Sequence, residues 1–275
     1  MIGTLFAQEL RATWKNLSTG VGIALLVIVV SFALAALRIP VVGDIGLTMG
    51  LIVAAVITPA VLGMLIENYW RTMYGREGYF TMTIPVRGRT LFTAKVLYGF
   101  VAAVVALMIT VLCLLGGAVA FSLSQGQEPF GFVRGAFSAV EPWMLWSSAA
   151  ALLLMAAYLV IVGAAVMSIG AQGRFNHLGF GAPVLGAVIL YFVMQIVTLA
   201  AILFVPVGVV MTGQDAGTLV GRGMLDDFVA ALTAPGGSDA APHVLGLGFV
   251  LTSVAVAALM AWWGGRAVER HTSLR

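Results

Sequence analysis

Residues 67–95 read ENYWRTMYGREGYFTMTIPVRGRTLFTAK and lie between two long apolar runs. This segment holds five of the fourteen Lys and Arg residues of the chain, namely Arg71, Arg76, Arg87, Arg89 and Lys95. Basic residues concentrate in the loops on the cytoplasmic side of a membrane protein. The segment therefore predicts a cytoplasmic loop, from which the orientation of the other elements follows.

The composition places the chain among integral membrane proteins. Apolar residues make up 61% of its 275 residues and charged residues only 9%, whereas a soluble domain carries about 25% charged residues. So few charges cannot cover a surface that faces water on all sides. The single cysteine, Cys113, lies in an apolar run and excludes an intramolecular disulfide.

Six apolar runs are long enough to cross a bilayer, which takes about 20 residues each. We predict spans near 20–37, 46–66, 96–121, 143–169, 178–205 and 244–263. The first run resembles a signal peptide around Ala33, but its polar start is long and its apolar part spans a bilayer, so we expect it to be retained. Together, residues 20–275 form one six-helix transmembrane domain.

Residues 1–19 are predicted to form a separate amphipathic helix in the membrane interface. Its apolar residues recur at helical spacing, with Trp14 at the level of the lipid headgroups. The polar residues Gln8, Glu9, Arg11 and Lys15 take the other arc. A frayed tail is the alternative.

Charge asymmetry sets the orientation of the spans. Eleven of the fourteen Lys and Arg lie at the N-terminus, in the 67–95 loop, in the 170–177 turn or in the tail. The alternate loops hold only Arg38, Arg134 and Arg222, together with seven acids. We therefore expect an all-α, multi-pass protein of the cell (inner or plasma) membrane with both termini in the cytoplasm.

The longest outer segment, residues 206–243, contains a helix-capable stretch from Met224 to Leu232. A short helix that dips back toward the bilayer and a solvated loop both fit this stretch.

The fifth span carries Tyr191, Gln195 and Thr198 at spacing i, i+4, i+7, which places them on one face. This stripe could line a translocation path or bond a neighbouring helix.

Several kinds of chemistry are missing from the sequence. No predicted span carries an ionisable side chain at mid-depth, which argues against a carrier driven by protons or ions, although sodium coupling through backbone carbonyls stays open. The three histidines lie in loops or the tail, and no Walker A pattern occurs. We expect no catalytic residue, no metal site and no cofactor bound by this chain.

The sequence from Gly75 to Val86, GREGYFTMTIPV, precedes Arg87, Arg89 and Lys95. It resembles the first cytoplasmic loop of ABC-2-type exporter permeases, which carries a Glu-Gly-Tyr-like segment, a Thr-Leu-Pro-Val-like stop and then basic residues. Here Ile84 replaces the leucine of the stop. The amphipathic start, the six spans and the long outer segment before the last span are similar to that family as well.

The resemblance implies the permease of an ATP-binding cassette exporter, which moves a hydrophobic or amphipathic substrate out of the cytoplasm. A second copy or a paralogue would pair with it, and separate ABC ATPase subunits would hold ATP and Mg²⁺. We expect contacts with these partners and with the lipid bilayer, and none with nucleic acid.

The resemblance also implies roles for individual residues. A cytoplasmic coupling helix between helices 2 and 3 would dock in the ATPase, with Tyr79 and Phe80 as apolar anchors, Arg76 and Glu77 at the groove rim, and Pro85 as the stop. The facing surfaces of spans two and five line the path in this family. The implied path residues of this chain are Thr58, Tyr191, Gln195 and Thr198.

Three other readings stay open. The basic loop could simply contact anionic lipid. A non-transporting partner or sensor could recruit a soluble protein through the same loop. A lipid-modifying membrane enzyme would need convergent acids, whereas the cytoplasmic acids Glu9, Glu67, Glu77 and Glu269 are scattered along the sequence.

Overall fold

The computed structural model describes residues 2–75, 77–83, 85–211, 213, 215–233 and 243–270. These residues are mostly helical, with α1 (Ile2–Ala36), α2 (Val42–Met73), α3 (Gly78–Met82), α4 (Gly88–Ser124), α5 (Gly131–Ser138), α6 (Pro142–Gly170), α7 (Gly181–Phe204), α8 (Leu225–Thr233) and α9 (Gly248–Arg270). A 3-10 helix, Gly173–Leu178, precedes α7. Helices α1, α2, α4, α6, α7 and α9 are long and apolar enough to cross a membrane, as expected of a multi-pass membrane protein.

Most of the six long helices extend beyond the predicted spans. The helix α1 runs without a break through the position at which the sequence divides an interfacial helix from the first span. Two glycines, Gly20 and Gly22, stand near that position, and a glycine inside a helix weakens it by about 1 kcal/mol without necessarily ending it. Similarly, Pro59 lies inside the continuous helix α2.

The chain divides into two compact units, and the first contains residues 1–160. Its core lies among α1, α2 and α4 and centres on Ile28, Ala54 and Ile57. Glycine allows the close approach of these helices. A Cβ atom at Gly50 would lie 2.4 Å from the ring of Phe32, and one at Gly117 would lie 3.0 Å from the same ring.

A tight turn joins α1 to α2. Arg38 and Val41 have φ values of 57° and 67°, which are unusual for residues with a side chain. The Arg38 Nε donates a hydrogen bond of 2.7 Å to the Leu123 carbonyl near the end of α4. This contact fixes the turn against the third long helix of the unit.

The second unit, residues 161–273, contains a small sheet that the sequence analysis did not predict. Three short strands, β1 (Gly208–Val210), β2 (Leu219–Val220) and β3 (Val244–Gly246), pair antiparallel in the order β2-β1-β3. The register pairs Val209 with Leu219 on one side and with Leu245 on the other. The all-α expectation therefore holds for the spans, while the segment after α7 also contains strands.

The segment between α7 and α9 contains the short helix α8, which is hydrogen-bonded to the strand β3. This helix begins one residue after the predicted start of the helix-capable stretch, which favours the helix over the plain loop. The Asp227 carboxylate accepts a hydrogen bond of 3.0 Å from the Val244 backbone N–H. At the start of α9, a Cβ atom on Gly248 would lie 2.0 Å from the Ala201 carbonyl oxygen, so only glycine fits there.

Candidate functional site

The loop between α2 and α4 is shorter than the sequence suggests. It spans residues 74–87, because α2 continues to Met73 and α4 begins at Gly88. The ends of the predicted 67–95 loop are therefore helical and extend α2 and α4. Of the five basic residues, only Arg76 and Arg87 lie in the loop itself.

The loop carries the five-residue helix α3, at the position expected for a coupling helix. Gly78 is buried, whereas the next two side chains are exposed. Tyr79 is 55% exposed and Phe80 is 79% exposed. Two adjacent aromatic residues on a short helix thus form an exposed apolar patch, while Arg76 and Ile84 lie outside the described residues.

The first half of the loop is fixed to the end of α2. The backbone N–H groups of Tyr74 and Gly75 both donate to the Trp70 carbonyl, at 2.8 and 3.0 Å. The Tyr74 ring packs against the Trp70 ring with 5.5 Å between centroids. A Cβ atom on Gly75 would lie 2.8 Å from the Arg71 carbonyl oxygen, so the chain turns here at close range.

An exposed ion pair ties α2 to the residue before α3. The Arg71 Nε lies 3.4 Å from the Glu77 Oε1, and both side chains are about half exposed. Such a surface pair contributes about 0–1 kcal/mol. Glu77, predicted at the groove rim, therefore lies beside the aromatic patch and faces solvent.

A buried cluster lies at the same end of the first unit and consists of Glu9, Asn68, Thr72 and Lys95. The Lys95 Nζ forms an ion pair with the Glu9 Oε1 and donates 2.8 Å to the Thr72 hydroxyl. The Asn68 Nδ2 donates 3.2 Å to the other Glu9 oxygen. The cluster therefore joins α1, α2 and α4.

The polar contacts compensate for the burial of two charges. Only 3% of the Lys95 side chain and 14% of the Glu9 side chain are exposed. A buried charge is costly unless it is paired and hydrogen-bonded. The Lys95 Nζ also lies 5.9 Å from the centre of the Tyr69 ring, which adds a cation–π contact.

A second polar contact joins α1 to α4 next to this cluster. The hydroxyl groups of Thr13 and Tyr98 form a buried hydrogen bond. The Phe6 ring packs edge-on against the Tyr98 ring with 5.4 Å between centroids. Glu9, Thr13 and Phe6 thus face the helix bundle, whereas the neighbouring Trp14 is 65% exposed.

The predicted path residues lie in both units. In the first unit, the Thr58 hydroxyl is 2.8 Å from the Thr110 hydroxyl, so it links α2 to α4. In the second, α7 carries Tyr191, Gln195 and Thr198 on one face. Tyr191 and Gln195 are exposed, and Thr198 is half-buried.

Sequence reasoning missed the pairing of Glu9 with Lys95. It assigned Glu9 to the solvent-facing arc of an interfacial helix and Lys95 to a basic loop. The signal was indirect: a lysine one residue before a long apolar run, and a single acid inside an amphipathic stretch. No sequence spacing relates two residues on different helices.

The described residues contain no group of three or more His, Cys, Asp or Glu that could hold a metal ion. No protein-family model, curated protein or solved structure matches the chain. The site is therefore characterised by its geometry, which consists of an exposed aromatic patch and a buried cluster that ties three long helices together.

Proposed function

We propose that the chain is the transmembrane permease subunit of an ATP-binding cassette exporter. It moves a hydrophobic or amphipathic substrate out of the cytoplasm, and separate ATPase subunits hydrolyse ATP with Mg²⁺. The observation that carries this proposal is the exposed pair Tyr79–Phe80 on α3, held on a loop that is fixed to α2.

The exposed patch suits a docking partner. Large aromatic side chains dominate the energetics of protein interfaces, where they fill pockets on the partner. In this proposal Phe80 enters a groove of the ATPase, Tyr79 packs beside it, and Glu77 contacts the rim. Arg76 takes a rim position too, and Pro85 ends the segment.

The buried cluster supplies a route for coupling. A displacement of α3 acts on α2 through the hydrogen bonds of Tyr74 and Gly75 to Trp70. The cluster around Lys95 then connects α2 to α1 and α4. Closure of the ATPase can thereby tilt three helices together and bias inward-open against outward-open states.

The proposed assembly contains two permeases, either two copies or one copy with a paralogue, in the cell membrane with both termini in the cytoplasm. The distribution of basic residues supports this orientation. The residues proposed to face the substrate path are Thr58, Tyr191, Gln195 and Thr198. The exposed side chains among them on α7 would form polar contacts with the substrate.

The test replaces both Tyr79 and Phe80 by alanine in the tagged full-length chain. We expect the variant to fold but to lose the ATPase, because both side chains face solvent and removing an interface anchor costs about 2 kcal/mol or more of binding. The measurement is the amount of ATPase that co-purifies in mild detergent.

A matched control removes two other exposed aromatic residues, Phe130 just before α5 (62% exposed) and Phe137 within it (50% exposed). In the proposed topology both residues lie on the other side of the membrane from α3. This control should retain the ATPase. Full retention of the ATPase by the Tyr79→Ala/Phe80→Ala variant would refute the coupling role of α3. A complex whose ATP hydrolysis does not respond to any transported compound would instead favour the non-transporting partner.

A further inference from the structure

Two adjoining cavities open between α1 and α2. The first has a volume of about 250 Å³, and its lining includes Asn16, Glu67, Asn68 and Arg71. The second has a volume of about 100 Å³ and is lined by apolar residues and glycine, including Gly20, Ala24, Val56 and Ala60. Met64 lines both cavities, so the two adjoin at this side chain, and we call them together the cleft, with a polar part and an apolar part.

The polar part lies at the predicted edge of the bilayer. The first two spans are expected to meet the membrane surface near Gly20 and Ile66, between the two parts of the cleft. The apolar part then extends into the hydrocarbon region. From Thr13 to Ala24, α1 rises about 16 Å. The cleft is therefore long enough to contact both the headgroup and the hydrocarbon chain of one molecule.

The charges at the polar part are of both signs. Arg71 is 46% exposed, and its described contacts with Glu77 and Asn68 use two of the five guanidinium N–H groups. A guanidinium with free N–H groups binds phosphate well. The exposed carboxylate of Glu67 lines the same cavity one helical turn earlier.

We propose that this cleft binds one phospholipid with an ethanolamine headgroup. Arg71 contacts the phosphate, Glu67 accepts hydrogen bonds from the ammonium group, and one acyl chain lies along Gly20, Ala24 and Ala60. A choline headgroup has no N–H to donate to Glu67, and an anionic headgroup brings a negative charge near that carboxylate. The site stands on the cleft alone and does not depend on the proposed transport function.

The test offers the purified full-length chain three lipids with identical acyl chains: phosphatidylethanolamine, phosphatidylcholine and phosphatidylglycerol. Native mass spectrometry then counts the molecules that stay bound. We expect the ethanolamine lipid to be retained roughly fivefold over the choline lipid, because it adds charge-assisted hydrogen bonds in a partly exposed site. In Glu67→Gln this preference should vanish, whereas Glu128→Gln, outside the cleft, should keep it.

A second pair of variants tests the apolar part. A Cβ atom on Gly20 would lie 3.0 Å from the flexible end of Met64, so Gly20→Leu can fold while its side chain fills the groove. A Cβ atom on Gly22 meets no heavy atom within 4 Å, which makes Gly22→Leu the matched control. We expect Gly20→Leu to bind one lipid fewer than Gly22→Leu.

Three results would overturn the proposal. The wild-type chain could retain the three lipids equally, or it could prefer the anionic lipid. Gly20→Leu could also bind as many lipids as Gly22→Leu and instead change the oligomeric state, in which case a second copy of the chain occupies the groove. Ala60→Leu, which fills the same groove from α2, repeats the test if Gly20→Leu does not fold.

Discussion

Replacing Glu9 by glutamine removes one charge from a buried ion pair. The Lys95 ammonium group then lacks its counter-charge, although only 3% of the Lys95 side chain is exposed. Breaking a buried pair by removing one partner costs about 3–5 kcal/mol, because the remaining charge is uncompensated. Lys95 keeps its hydrogen bond to Thr72, which places the expected loss near the lower end, at about 3 kcal/mol.

The reverse change, Lys95→Met, is expected to cost less. It leaves a Glu9 carboxylate that is 14% exposed and still accepts a hydrogen bond from Asn68. We expect a loss of about 2 kcal/mol. The double variant Glu9→Gln/Lys95→Met should come within about 1 kcal/mol of the wild type, since replacing both partners of a buried pair is often nearly neutral.

The assay is unfolding of the purified chain in mixed micelles of mild detergent and dodecyl sulfate, followed by circular dichroism. The control is Lys15→Met, which removes an exposed lysine from the same helix and should change the free energy of unfolding by less than about 0.5 kcal/mol. If the double variant loses as much as the two single variants combined, the two charges do not stabilise each other and the cluster does not join the helices.

Two further predictions concern packing and hydrogen bonds. Thr13→Val deprives the Tyr98 hydroxyl of its buried partner, so the free energy of unfolding should fall by about 1–3 kcal/mol in the same assay; an unchanged value would show that Tyr98 bonds elsewhere. Gly248→Ala forces a methyl group against the Ala201 carbonyl and should sharply reduce the yield of folded protein, whereas Gly221→Ala, which meets open space, should not. Equal yields would contradict the close approach of α7 and α9.

The spans could be predicted because the bilayer imposes length and composition on each of them. All six apolar runs coincide with a long helix, and their order in the chain is as expected. The ends of these six helices could be predicted less accurately than their positions. Helical residues beyond the predicted spans, such as Asn68 to Met73, are polar or mixed, so hydropathy carries no signal for them.

The strands escaped prediction for another physical reason. Each has only two or three residues, too few for the alternation that marks a strand. Their pairing instead depends on Gly208, where a Cβ atom would lie 2.4 Å from a Val244 methyl carbon. A glycine that accommodates a distant residue looks in sequence like any loop glycine.

The candidate site was predictable only in part. Local sequence indicated a short element between Gly75 and Pro85 with aromatic residues, and α3 lies within it. The exposure of Phe80 and the contact between Glu9 and Lys95 depend on how three helices pack. Interactions between residues 86 positions apart leave no pattern in a single sequence.

The most direct test of the permease proposal is purification of the tagged chain in mild detergent from the cells that contain it, with mass spectrometry of the proteins that co-elute. We predict an ATPase with a Walker A sequence in equal stoichiometry to the chain, and its loss from the Tyr79→Ala/Phe80→Ala variant. A folded chain that elutes without any such ATPase would contradict the proposal and point to the bilayer as the partner of the α3 loop.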